Sequence, residues 1–141
     1  MEKLLGYYRD IYKSWKNDHL KFWGKQAKAI AWGKKPKKIL DDSNSPFYKW
    51  FPDGTLNTCY NAIDRHVLSG RGKQDAIIYD SPVTNTKKRI TYSQLQYQVS
   101  QFAGALIKLG VIKGDRVIIY MPMIPEALVA MLACARIAAV H

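Results

Sequence analysis

R-V-I-I-Y-M-P-M-I-P-E-A-L-V-A-M-L-A-C-A-R-I-A-A-V, residues 116–140, decides how the rest of the chain is read. Val117–Tyr120 is a β-branched and aromatic run, too short for a helix. It predicts a strand covered on both faces. Pro122 and Pro125 bracket a tight turn. Pro125 suits the first turn of a helix, where its missing N–H costs nothing. Glu126 beside it favours the positive end of the helix dipole. Every residue from Ala127 to Ala135 is apolar, which predicts a helix buried nearly all round and packed close to a sheet. Ala139-Val140 then begins another strand, so on this reading the α/β unit stops incomplete at His141.

Working upstream, Leu95, Val99, Phe102, Ala103, Leu106 and Ile107 form the apolar stripe of a second helix. Ser93 with Gln96 reads as its capping box and Gly110 as its stop. Ala76–Tyr79 and Lys88–Tyr92 read as two strands joined by the polar loop Asp80–Lys87. The hydroxyls of that loop and Asn85 lack the glycine-rich setting that a phosphate cradle needs. A helix capped by Asn57 carries Tyr60, Ile63 and Val67 on one face and ends at Gly70. The order strand, helix, strand, helix, strand predicts an α/β fold, mostly parallel, with right-handed crossovers.

The first forty residues differ in kind. They hold eleven Lys or Arg against Glu2, Asp10 and Asp18, a net +8, whereas residues 41–141 carry only +3. Leu4, Leu5, Tyr8, Ile11, Tyr12 and Trp15, then Leu20, Phe22, Trp23, Ala27, Ile30 and Ala31, keep helical spacing, and lysines fill much of the space between. One reading is a basic module that binds nucleic acid or an anionic surface. The favoured one is a helical collar whose aromatic face packs on a neighbouring domain while its lysines reach into water. Gly33-Lys34-Lys35-Pro36-Lys37-Lys38 reads as a charged linker after a helix ending near Gly33. Residues 39–56 carry Pro46, Pro52 and the turn P-D-G, with too many aromatics for a free linker. They are expected to lie pinned along the following domain.

Candidate chemistry is sparse. Asp41-Asp42 is read as a solvated turn rather than an acid–base pair. Asp64, Arg65 and His66 are sequence neighbours on a helix, so their side chains diverge. His19, His66 and His141 are scattered and have no metal-ligand spacing. Cys59 and Cys134 read as two buried free thiols, which suits a reducing compartment. The longest apolar run, Ala127–Ala135, is too short to span a bilayer. These features together predict a cytoplasmic chain with no membrane segment.

Three blocks, R-I-T-Y-S-Q-L, then L-G-V-I-K-G-D-R-V-I-I-Y-M-P-M-I-P-E-A, then M-L-A-C-A-R-I-A-A-V-H, closely resemble the AMP-forming acyl-CoA synthetases, and above all their acetyl- and propionyl-CoA members. F-W-G-K-Q-A and W-F-P-D-G-T-L-N-T-C-Y-N-A-I-D-R-H resemble the N-terminal cap region of that subgroup. I-I-Y-D-S-P-V-T-N-T looks most like its propionyl-preferring members. The resemblance extends from about Tyr8 onward. Ala138 departs from it, standing where the family usually has glycine, and adds a methyl group where helix and strand meet.

The resemblance implies a cap at residues 1–56 and the first part of an adenylate-forming domain at residues 57–141. It implies a reaction in which a carboxylate attacks ATP, with Mg2+ assisting, and CoA then displaces AMP. In the family the phosphate loop, the acidic magnesium ligand, the acyl pocket, the adenylation lysine and the CoA-contacting stretch all lie beyond the counterpart of His141. No catalytic, cofactor-binding or metal residue is therefore assigned to this chain, and no bound cofactor is expected. On this expectation it is inactive alone: an excised piece, a shortened gene product or one half of a split enzyme. Its expected partner is the remaining synthetase polypeptide, with self-association through the open sheet edge as the other outcome and no role for nucleic acid.

Overall fold

The amphipathic, aromatic N-terminus folds as α1 (Glu2–Asn17) and α2 (His19–Gln26). The computed structural model describes the backbone of residues 2–141 and the side chains of residues 7–141. Leu4 and Leu5, assigned above to the apolar stripe of α1, have side chains outside the described residues. The carboxylate of Asp18 caps α2 by accepting the Lys21 N–H at 2.9 Å. The chain divides after Leu56 into two compact units.

In the first unit the helical run gives way to a 3-10 turn at Ala27–Ala29, short of the Gly33 end expected from sequence. The Trp32 indole N–H, bonded to the Ala27 carbonyl at 2.8 Å, helps to fix that turn. β1 (Leu40–Asp41) and β2 (Lys49–Trp50) pair antiparallel. Lys34 bridges Thr55, and the Asp53 carboxylate accepts the backbone N–H groups of Lys37 and Lys38. The lysine run is therefore a pinned backbone with side chains in water, not a loose linker. Its aromatic neighbours pack on one another: Trp23 meets Trp50 edge-on at 6.0 Å and Trp32 lies 5.4 Å from Phe51. A Cβ on Gly54 would stand 2.9 Å from the Trp32 ring, so glycine is what lets that indole seat.

The second unit opens with a helix from residue 58, wound wide as π-helix at Tyr60–Asp64 and again from Val67, until Gly70, at φ +85, breaks the helical geometry as expected from sequence. Asn57 caps it by accepting the Tyr60 N–H at 3.0 Å. β3 (Asp75–Ser81) and β4 (Thr86–Thr91) form an antiparallel hairpin. α3 (Tyr92–Lys108) and α4 (Pro125–Arg136) pack over one core, in which Cys59, Ile63, Val99, Ala133 and Cys134 are buried. Both helices end alike. Val111 N–H returns to the Leu106 carbonyl with Gly110 at φ +89, and Ala139 N–H returns to the Cys134 carbonyl with Ala138 at φ +59. The fold class is thus α/β, with a helical N-terminus, but the mostly parallel sheet expected from sequence is not seen: among the described residues both ladders are antiparallel and the parallel pairing is limited to the bridge between Arg116 and Val140.

Three elements differ from their sequence reading. The capping box of α3 is Thr91 with Gln94, not Ser93 with Gln96. α4 is buried on one face only: Val129, Ala130, Ala133 and Cys134 face the core, while Leu128 and Met131 are exposed. Val117–Tyr120 is extended but forms no strand beyond a single parallel bridge between Arg116 and Val140. Ile118 is 92% and Tyr120 98% exposed, whereas Val117 and Ile119 are half-buried. A strand buried on both faces needs a layer on each side, and the described residues supply only one.

Candidate functional site

The second unit holds one polar node inside its packing. Asp64, buried on the π-wound helix, accepts from Gln96 Nε2 of α3 at 2.7 Å and from an Arg136 guanidinium nitrogen of α4 at 3.0 Å. Asn57 Nδ2 donates to the Arg136 carbonyl at 2.9 Å. Three helices are thereby joined through one carboxylate. Such a partly buried pair is worth little in net stability but costly to break, because its loss strands a charge in the core. Cys59 lies in the same core. Burial pushes its thiol pKa up against the opposing pull of Arg136, and burial does the same at Cys134. Neither thiol is a ready nucleophile, and both are free.

The other residues weighed from sequence do not converge. His66 turns away from Asp64: its Nδ1 lies 3.0 Å from Arg71, and its ring centroid 5.1 Å from that of Tyr92. Burial, then Arg71 and Arg65, lowers its pKa, so the imidazole is neutral at physiological pH. Asp41 is held by Lys38 Nζ and the Ser43 hydroxyl, both at 2.8 Å, which lowers its pKa to about 2. Asp42 is exposed and takes no part in that contact. Asn85 sits in the left-handed region at the hairpin tip (φ +49), which accounts for its side chain without a ligand. Among the described residues no three His, Cys, Asp or Glu side chains gather as a metal site. None of their helices is long and apolar enough to cross a membrane.

The node escaped sequence reasoning, although a signal for it existed. Arg136 closes a nine-residue apolar run, and a charge in that position needs a partner. The second feature of note is an apolar cleft of about 600 Å3 beside the extended segment, lined by Val117, Ile119, Met121, Ala127, Met131 and His141 among others. Its polar side chains are Arg116 and His141, and no carboxylate, thiol or hydroxyl side chain lines it beside that imidazole.

Comparison with known proteins finds two families in succession along the chain. Residues 8–62 match the family described as acetyl-coenzyme A synthetase N-terminus, and residues 65–141 match the AMP-binding enzyme family. Acyl-CoA synthetase short-chain family member 3, mitochondrial, of Bos taurus is 56% identical over 136 residues, which is 96% of this chain and 20% of that protein. The Homo sapiens protein of the same name is 56% identical over 124 residues, 88% of this chain and 18% of its own length. Acetyl-coenzyme A synthetase of Streptomyces coelicolor is 53% identical over 132 residues, 94% of this chain and 20% of that protein. The chain spans about a fifth of the length of the curated relatives it matches.

Proposed function

The chain belongs to the AMP-binding enzyme family, and from that premise we propose that it is the N-terminal part of an AMP-forming short-chain acyl-CoA synthetase. The observation that carries this reading is the succession of two matches in one chain, a synthetase N-terminus to residue 62 and an AMP-binding segment from residue 65. The whole protein would join acetate or propionate to ATP as an acyl-adenylate, releasing diphosphate, and CoA thiol would then displace AMP. ATP, Mg2+ and CoA are on this reading substrates or helpers held by polypeptide beyond these residues. Residues 57–141 contribute three helices, a β-hairpin and one extended segment. Residues 1–56 form the cap.

The reading as a basic nucleic-acid-binding module is set aside. Trp15 and Trp23 are 38% and 39% exposed and do not decide against it. What speaks for the synthetase reading is that the same basic, aromatic stretch falls within the match at residues 8–62 to a synthetase N-terminus. A reducing aqueous compartment suits the two free thiols. The cytoplasm is the proposed site, and the mitochondrion named for the bovine relative is the alternative.

The test is a chimera in which these 141 residues replace the matching fifth of the bovine relative. Exchange of labelled diphosphate into ATP, driven by acetate or propionate, reads the first half-reaction. We expect the chimera to support carboxylate-dependent exchange and the 141-residue chain alone to support none. A soluble chimera without exchange for either acid overturns the proposal.

A further inference from the structure

We propose that a cleft in the first unit binds a small organic anion with a flat apolar body, Trp32 supplying the surface for its ring and Lys28 and Lys35 the counter-charge. The cleft measures about 480 Å3. Ile30, Trp32, Pro36 and Ile39 are among its walls, and its charged lining residues are Lys28 and Lys35. Small-molecule sites typically occupy about 300–1,000 Å3 and combine mostly apolar walls with a few polar groups. This cleft has both properties.

Its walls are fixed before any ligand arrives. The Trp32 indole N–H donates to the Ala27 carbonyl at 2.8 Å, so the ring is held and its one polar atom is satisfied. A Cβ on Gly54 would stand 2.9 Å from the Trp32 ring and 3.1 Å from Pro36 Cβ, so the backbone at Gly54 supports both walls. The charge, by contrast, is uncompensated. Among the described residues neither Lys28 nor Lys35 forms an ion pair, and no carboxylate lines the cleft. The carboxylates of the same unit that follow them are engaged elsewhere. Asp41 holds Lys38 Nζ and the Ser43 hydroxyl, and Asp53 accepts the N–H groups of Lys37 and Lys38. Residues 1–40 carry a net +8, which raises the local concentration of anions. The apolar walls disfavour a bare inorganic ion, and the two cations favour an anion over a neutral ring. All of these groups lie in one compact unit, so the site is independent of the synthetase reading.

The experiment titrates the 141-residue chain with naphthoate and follows the Trp32 indole N–H by NMR, its signal assigned through Trp32→Phe. We expect a saturable shift of that signal, and binding about 10-fold weaker in the double variant Lys28→Gln, Lys35→Gln. Naphthalenemethanol, the same ring without the charge, is expected to bind the unaltered chain about 10-fold more weakly than naphthoate. Both lysines are exposed, so their replacement spares the packing, and the remaining signals check this. Absence of a saturable shift overturns the proposal. Equal binding of the alcohol, or equal binding of the acid by the double variant, does so too, because either identifies an unselective apolar surface. Inorganic phosphate that binds as tightly as naphthoate also overturns it, since the walls would then contribute nothing. If the 141-residue chain is too sparingly soluble for NMR, equilibrium dialysis of radiolabelled naphthoate compares the chimera described above with its Lys28→Gln, Lys35→Gln form. The variant is expected to retain less acid at equal free concentration, and equal retention counts against the site.

Discussion

Ala138 and Gly110 occupy the same place in the same motif, and only one of them suits it. Each follows the last turn of a helix in the left-handed region, and the residue after each returns its N–H to a carbonyl five residues back. Glycine adopts that backbone freely, whereas a Cβ clashes with the carbonyl that follows. The departure noted in the sequence therefore matters for backbone strain and not only for the bulk of a methyl group. Ala138→Gly is expected to stabilise the second unit by about 0.5–1 kcal/mol. Gly110→Ala is expected to cost about 1 kcal/mol, although open space surrounds it. Urea unfolding followed by thiol accessibility would measure both, and a loss of stability in Ala138→Gly would contradict the account.

At the scale of elements, the position of α3 was legible but its first residue was not. T-Y-S-Q and S-Q-L-Q both satisfy the capping-box pattern, at residues 91–94 and 93–96. The hairpin chooses between them. Thr91 is still paired with Asp75 as the last residue of β4, and Tyr92 and Ser93 then donate to the carbonyls of Gln74 and Gly72, which turns the chain into the helix. Thr91→Ala should cost about 1 kcal/mol and Ser93→Ala less than about 0.5 kcal/mol. The opposite ranking in thermal or urea unfolding would restore the sequence reading. Val117–Tyr120 failed for another reason. Hydrophobicity reports what a segment can bury, not whether the covering layer lies within the same stretch of chain. The same holds for the open face of α4 at Leu128 and Met131.

For the molecule as a whole, the sequence made the α/β class and the helical N-terminus legible, because periodicity, caps and charge all changed along the chain. The candidate site was less so. The tie from Asp64 to Arg136 spans 72 residues, and no local pattern links residues so far apart. The two units also differ in chemistry. Every tryptophan (15, 23, 32 and 50) lies before Leu56, and both cysteines lie after it. Indole emission therefore reports on the first unit. Asp41 has a pKa lowered to about 2, by Lys38 and then Ser43, and Asp53 is lowered by the N–H groups of Lys37 and Lys38. Their folded values lie below the ordinary 3.8, so their contribution is present above that value and is lost as pH falls towards 2. The urea midpoint read by indole emission should drop between about pH 5 and pH 2. In the double variant Asp41→Asn, Asp53→Asn that slope should flatten, and an unchanged slope would show that other carboxylates carry it.

The bond from Asn57 to the Arg136 carbonyl, 79 residues away, has a consequence in time. A ribosome adds roughly 5–20 residues each second, so the helix that opens the second unit emerges about 4–16 s before its partner in α4 exists. Through that interval Cys59 and Ile63 have no α4 to lie against, and Asp64 has no arginine. The first helix of the unit to be made is thus among the last to be locked in place.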